Sequence, residues 1–331
     1  MQRIIIALLF LMTVMGCRRD KMYFEEVGSV FHTLYSIKYE AAKSLSVEIE
    51  AEFEAFNLSL NPFNPNSIIS KVNKNEAVEA DEWFVKVFNK AQEISAQSDG
   101  AFDATVAPLI NLWGFGFNKY DSVSDAMVDS IKNFVGYEKI RIEGRSIVKD
   151  DPRVMINFSA IAKGYASDVI ARLLERNGVE NYMIEIGGEV TMKGVNSRGV
   201  CWRIGINKPS DDPDGNNREL EDTIQPCRPC GVATSGDYRN FYEKDGKRYA
   251  HTINPATGYP AAQNLLSATV LADNCMTADG WATAFMVLGA ERAVETARTI
   301  SGIEYFFIYT DDQGNYRTVF SEGMRAYLSK H

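Results

Sequence analysis

GVATSGDYRNFYEKDGKRYAHTINPATGYP, residues 231–260, is rich in turn chemistry and poor in simple core patterning. It opens on a small polar turn, Thr234-Ser235-Gly236-Asp237, and crosses a hairpin tip at Asp245-Gly246. An Asp-Gly pair between alternating runs is a strong short-range hairpin signal, because both turn residues must take positive φ. The return strand carries Tyr249 and His251 into Asn254-Pro255-Ala256-Thr257-Gly258, where Pro fixes φ and Gly supplies a left-handed residue. His251 is one of three histidines, with His32 and His331. A scarce histidine beside a Thr-Ser-Gly turn points to acid–base chemistry. A half-buried strand histidine with a satisfied ring is the commoner use of such a position.

Outward from this stretch, the chain has 331 residues with 35 Lys and Arg against 44 Asp and Glu, a net charge of -9. Acidic and basic residues are mixed rather than blocked, which argues against nucleic acid as a partner. The first residues, MQRIIIALLFLMTVMGC, combine Arg3 with an apolar run from Ile4 to Val14, too short for an ordinary membrane span and of signal-peptide form. Val14-Met15-Gly16-Cys17 resembles a bacterial lipobox, in which Cys17 becomes the lipidated first residue. The expected division is a signal peptide over 1–16, a lipidated cysteine and tether over 17–26, and the main folded region over 27–331. The expected location is a membrane surface facing the periplasm, held by the lipid anchor. Of the remaining cysteines, Cys227-Arg228-Pro229-Cys230 forms a C-x-x-C, and an exported protein permits a disulfide there. A redox motif would need a strand-to-helix context, and a zinc knuckle a second pair.

Periodicity predicts one strand over Val27 to Tyr39 and a helix over Ala41 to Asn57 with Val47, Ile49, Phe53 and Phe56 inward. Asn61-Pro62-Phe63-Asn64-Pro65-Asn66-Ser67 is a loop that displays Phe63, either to plug the core or to stack on a planar ligand. Asp81 is the expected N-cap of a helix to Ser98, and further helices are expected over Asp125 to Val135 and up to Asn177. The run Ile156 to Ala166 delivers Asn157 and Ser159 to a helix entrance, whose free N–H groups suit an anion. Tyr182 to Ile186 reads as a strand, with Val190 to Val195 and Trp202 to Ile206 continuing its sheet. Residues 209–226 read as a surface excursion. A strand over Leu266 to Ala272, helices over Thr277 to Leu288 and Ala290 to Ile300, and a final strand pair complete the chain. Asp279 and Thr283 lie four apart on one helix face, about 6 Å along the axis. Both offer hard oxygen, which suits magnesium; an isolated D-x-x-x-T is more often a first-turn Asp beside a packed Thr.

Six ordered segments together resemble the ApbE family of FAD:protein FMN transferases: FNPNSIISKVN from Phe63, SDGAFDATVAPLINLWGFG from Ser98, NFSAIAKGYASD from Asn157, VATSGDYRN from Val232, AHTINPATGYP from Ala250 and MTADGWATAFMVLG from Met276. The resemblance implies an α+β fold with mixed sheets and packed helices, T-fold-like in architecture. It implies FAD as substrate, Mg2+ as cofactor, and transfer of FMN to a threonine of a partner flavoprotein, such as a subunit of an ion-pumping electron-transfer complex. In residue terms, Asp279, Thr283 and the Ala160 carbonyl would hold Mg2+, and His251 would act as base. Phe31, Phe63, Ala101, Phe102, Asp103, Asn157, Lys163, Thr252 and Ile253 would contact FAD. The chain departs from the family pattern at Phe31-His32, where Met-Gly is frequent, at Asn157, where Asp is usual, and at Ala282, a second carboxylate in some members. The same groove would also serve a lipoprotein that stores FAD, or a pyrophosphatase that splits it to FMN and AMP.

Overall fold

The alternation over residues 27–39 belongs to two strands in the computed structural model, which describes residues 21–115, 123–209, 219–236, 241–244, 247–250 and 252–329. Strands β1 (Met22–Val30) and β2 (Thr33–Ala41) pair antiparallel, with Val30 opposite Thr33. The turn between them is Phe31-His32, with φ of 51° and 62°. Two positive φ values match the twist of a two-residue hairpin, a position usually filled by Asn or Gly. Here ring packing holds it instead: Phe31 lies on Phe53 and Phe56, and His32 on Phe63. Because β1 starts at Met22, the folded body includes residues expected in the tether.

The remaining strands are β3 (Ile140–Glu143), β4 (Ser146–Lys149), β5 (Tyr182–Ile186), β6 (Glu189–Lys193), β7 (Ile204–Asn207), β8 (Leu220–Ile224), β9 (Cys230–Gly236), β10 (Phe241–Lys244), β11 (Lys247–Ala250), β12 (Leu265–Ala272), β13 (Ile303–Thr310) and β14 (Tyr316–Phe320). Eight form one sheet in the order β1-β2-β5-β6-β9-β12-β13-β14, antiparallel at every pairing. The hairpin expected at residues 245–246 is present as β10 and β11, with Lys244 opposite Lys247. β7 was expected to continue the main sheet and instead, among the described strands, pairs with β8 alone, a strand inside the expected surface excursion. Its four residues are too few to show an edge partner by alternation alone.

The described helices are α1 (Ser46–Leu60), α2 (Ile68–Asn73), α3 (Glu82–Gln97), α4 (Ala107–Leu112), α5 (Asp125–Lys132), α6 (Ala162–Arg176), α7 (Cys275–Leu288), α8 (Ala290–Ala297) and α9 (Glu322–Arg325). Asp81 caps α3 as expected, accepting from Phe84 N–H at 2.8 Å. The α+β expectation therefore holds. The alternation of each strand splits its side chains between two cores. Ile37, Ile184, Ala233, Val270 and Phe307 face the helices, while Val190, Val232, Leu271, Phe306 and Ile308 face β7, β8 and α9. α7 is apolar nearly all round and lies in the first core, so its one carboxylate, Asp279, is buried with it.

The disulfide joins Cys201 to Cys227, with Cα atoms 5.3 Å apart, and not Cys227 to Cys230. Cys230 starts β9 and points into the second core, whereas Cys227 stays exposed, so the C-x-x-C spacing does not bring the two sulfurs together.

Candidate functional site

Two helix N-termini meet where α6 and α7 cross, and each is capped by the other helix. Asp279 of α7 accepts from Gly164 N–H of α6 at 2.9 Å. Asp168 of α6 accepts from Cys275 and Met276 N–H of α7, both at 2.9 Å. A helix start leaves N–H groups without intrahelical partners and carries partial positive charge, so a buried carboxylate there is stabilised by hydrogen bonds and by the dipole. Thr191 Oγ1 adds a third bond to Asp168 at 2.9 Å. Burial nonetheless raises both carboxyls above the ordinary aspartate range, against the pull of these bonds and, at Asp279, chiefly of Lys163.

Lys163, in the first turn of α6, reaches Glu189 Oε1 at 2.7 Å and Asp279 Oδ1 at 3.8 Å. Burial alone would lower its pKa, but the two carboxylates outweigh that and hold the ammonium above the usual lysine range. Glu189 is pushed up to about 7, first by burial and then by Asp279, with Lys163 opposing. Its Oε2 is buried without a hydrogen-bond partner. One turn along α7, Thr283 Oγ1 lies 3.4 Å from Ser235 Oγ on β9.

These groups line a cavity of about 790 Å³, within the range that holds drug-sized and cofactor ligands. Of the residues singled out from sequence, Ala101, Phe102, Asp103, Asn157, Ala160, Lys163, Thr252, Ile253, Asp279 and Thr283 come together on its wall. Asn157 accepts from Ser159 N–H at 2.7 Å and so bends the chain into α6. The Asn254 turn forms as read, its side chain accepting from Ala256 and Thr257 N–H, with Gly258 at φ 80°. Two residues are not brought to the wall. Phe31 is spent in the core against Phe53 and Phe56, and Phe63, 51% exposed, borders a separate shallow depression with Pro62, Pro65 and Met155. His251 and Cys17 lie outside the described residues.

Asp103 accepts from Thr105 N–H and Oγ1, both at 2.7 Å, yet burial lifts its pKa from 3.8 to about 6. A carboxyl raised in the folded state adds stability below its unfolded pKa and loses it as pH rises through the folded one. About two units correspond to roughly 3 kcal/mol lost between pH 4 and 7. Asp103→Asn removes that slope and gives up the bond from Tyr137 N–H, about 1 kcal/mol. The ligand-free variant is therefore expected to be about 2 kcal/mol more stable than wild type at pH 7.5 and equal or weaker at pH 4, by denaturant unfolding at both.

The donor set tests the expected metal. Among the described residues no three His, Cys, Asp or Glu side chains converge. Asp279, Thr283 and the Ala160 backbone offer hard oxygens and a single charge, which fits Mg2+, an ion that completes its shell with water and substrate phosphate. The cavity wall carries Asp103, Glu185, Glu189 and Asp279 against Lys163 and Arg203. With carboxyl groups outnumbering cations among the described wall residues, a polyphosphate at such a site would be favoured by a cation beside it.

The ApbE family model matches residues 31–307. The chain belongs to the ApbE family. A relative from Vibrio cholerae named FAD:protein FMN transferase is 37% identical over the whole of both chains, and one of the same name from Escherichia coli is 32% identical over 88% of this chain and 84% of its own. The solved flavin transferase ApbE from Vibrio cholerae superposes with a TM-score of 0.84 at 36% identity, over 93% of this chain and all of that one. The flavinyl transferase ApbE from Pseudomonas stutzeri gives 0.82 at 30% identity, covering 94% and 98%.

Within this ApbE chain, sequence reasoning missed Glu189 and Asp168. The signal for Glu189 was a charged residue opening a strand that is otherwise buried, directly after a Gly-Gly turn. Asp168 stood inside the quoted NFSAIAKGYASD segment but faces another helix, which no spacing on its own helix reveals.

Proposed function

We propose that this chain is a FAD:protein FMN transferase that requires Mg2+, takes a threonine of a partner flavoprotein as acceptor and releases AMP. The carrying observation is the convergence of Asp279, Thr283 and Ala160 with the Lys163–Glu189 pair on one cavity in a member of this family. The acceptor hydroxyl oxygen forms a bond to the phosphorus on the FMN side of the pyrophosphate, the bond to the AMP oxygen breaks, and the hydroxyl proton passes to a base, for which His251 is the assignment. Bound Mg2+ supplies charge for the oxygen on which negative charge develops. Lys163 stays charged and holds Glu189 and Asp279 in place. The chain acts at a membrane surface outside the cytoplasm, anchored through Cys17, on flavoprotein subunits of electron-transfer complexes.

The test uses the chain begun after Cys17 with FAD, Mg2+ and a threonine-bearing acceptor domain, following acceptor mass and free AMP. Gain of one FMN with AMP release, both lost in EDTA, is the expected result. FAD bound but intact would mean a carrier, and FMN and AMP without mass gain a pyrophosphatase. Thr283→Val, which keeps shape and loses one oxygen ligand, is expected to raise the Mg2+ needed for half-maximal rate by about tenfold, a single hydrogen-bond-sized loss. An unchanged Mg2+ titration would remove Thr283 from the metal site.

A further inference from the structure

Strand β7 forms part of the cavity wall, yet among the described strands its ladder runs to β8 alone, with a register shift at Ile206 and Asn207. β8 is tied to the C-terminal segment: Gln225 N–H donates to Tyr327 O at 3.0 Å, Ser329 N–H to Thr223 O at 3.1 Å, and Ser329 Oγ to the buried Asp222 at 2.8 Å. The base of β7 is fixed differently. Trp202 is buried with its indole N–H donating to Lys193 O at 3.0 Å, and Cys201 is bonded to Cys227, 26 residues on. Gln225 connects the two, donating to Cys201 O and accepting from Arg203. Beyond this base, Arg203, Ile204, Gly205 and Asn207 line the cavity together with Met183, Val190 and Val232 of the sheet, and Ile204 packs with the second core.

We propose that the Cys201–Cys227 disulfide is a positioning element of the substrate site, holding β7 in place so that this wall of the cavity keeps the position FAD binding requires. The proposal rests on the flavin-transferase reading for the identity of the ligand. A wall strand of four residues with one ladder must be ordered each time ligand binds, unless something orders it beforehand; a covalent link at its base removes that cost. A ligand that fills a cavity is held by close contact with its walls, so a β7 free to lift would weaken affinity without touching Asp279 or Thr283. Cys227 is exposed and the bond is open to dithiols, while Cys230 and Cys275 are buried and already free.

The test compares the oxidised protein, the protein reduced with dithiothreitol, and the Cys201→Ser/Cys227→Ser double variant. FAD affinity is read from quenching of flavin fluorescence, and backbone mobility from hydrogen exchange of peptides covering β7 and, as control, α7. Breaking the bond is expected to weaken FAD binding by about tenfold, the size of ordering one short strand. The rate at saturating FAD stays within about twofold, exchange rises in β7 but not α7, and reoxidation of the reduced wild type restores both readings. Equal FAD affinity in all three forms overturns the proposal, as does a rise in exchange throughout the chain, which would make the bond a general stabiliser. If the oxidised protein binds no FAD, the flavin-transferase reading fails, and unchanged exchange in β7 would separately refute the pinning.

Discussion

Asp279→Asn is expected to lower kcat/KM for FMN transfer by about a thousandfold or more, roughly 4 kcal/mol of transition-state stabilisation, while the protein still folds. Asn keeps a carbonyl to accept from Gly164 N–H, so the cap on α6 survives. Lys163 retains Glu189 at 2.7 Å, so the buried ammonium keeps its nearer partner. Burial already raises the Asp279 carboxyl, which means the folded protein bears a cost for its charge that the amide does not have. Thermal unfolding of the ligand-free variant should therefore stay within a few degrees of wild type. What disappears is the one anionic oxygen of the proposed metal set, and with it the cation that lets a pyrophosphate sit among carboxylates. The measurement is AMP release against Mg2+ concentration for both proteins. A variant that reaches a tenth of the wild-type rate at any Mg2+ concentration would sink the assignment.

Local physics was legible in the sequence wherever one segment decided its own structure. Asp81 before an amphipathic run gave the cap of α3, the Asn254 to Gly258 turn closed as its residues require, and Tyr182–Ile186 was read to the residue. Ten of the residues named for the site lie on one cavity because the motifs that carry them are the wall of that cavity. Misreadings arose where distant contacts overrode local chemistry. The turn at Phe31-His32 has neither Asn nor Gly, and the rings of Phe53, Phe56 and Phe63 pack on it, so the same packing that accompanies the unexpected hairpin takes Phe31 away from the cavity. The C-x-x-C spacing left the pairing of Cys227 open, and the fold decides it: Cys230 opens β9 and is buried, while Cys227, ahead of the strand, is exposed and bonded to Cys201. Glu189 and Asp168 act on elements remote in sequence, Glu189 on Lys163 and Asp168 on the start of α7, and a single sequence holds no record of such partners.

Gly164→Ala is expected to be among the most damaging single-methyl changes available in this chain. By helix propensity alone it should help, because alanine in a helix is favoured over glycine by about 1 kcal/mol. The added Cβ would lie 2.4 Å from Cys275 O, 2.7 Å from Cys275 C and 2.8 Å from Asp279 Cβ. Two of these are backbone atoms of the first residue of α7, which cannot rotate away as a side-chain tip can. Nor can α7 retreat on its other side, since a Cβ at Gly231 of β9 would stand 2.1 Å from Cys275 N. The helix start is wedged between two glycines, and relief requires α6 and α7 to separate. Separation stretches the bonds from Gly164 N–H to Asp279 and from Cys275 and Met276 N–H to Asp168, so part of each cap is lost with the packing. Overpacking of about 1–3 kcal/mol plus weakened caps of about 1 kcal/mol outweighs the propensity gain of about 1 kcal/mol, for a net loss of about 1–3 kcal/mol. In a chain of this size that lowers the unfolding midpoint by on the order of 2–5 °C. Asp279 moves with the helix, so activity should fall even at temperatures where the variant remains folded. Thermal unfolding and AMP release measured on one preparation decide the matter. A variant with an unchanged midpoint and rate would mean that the two helices do not approach each other this closely.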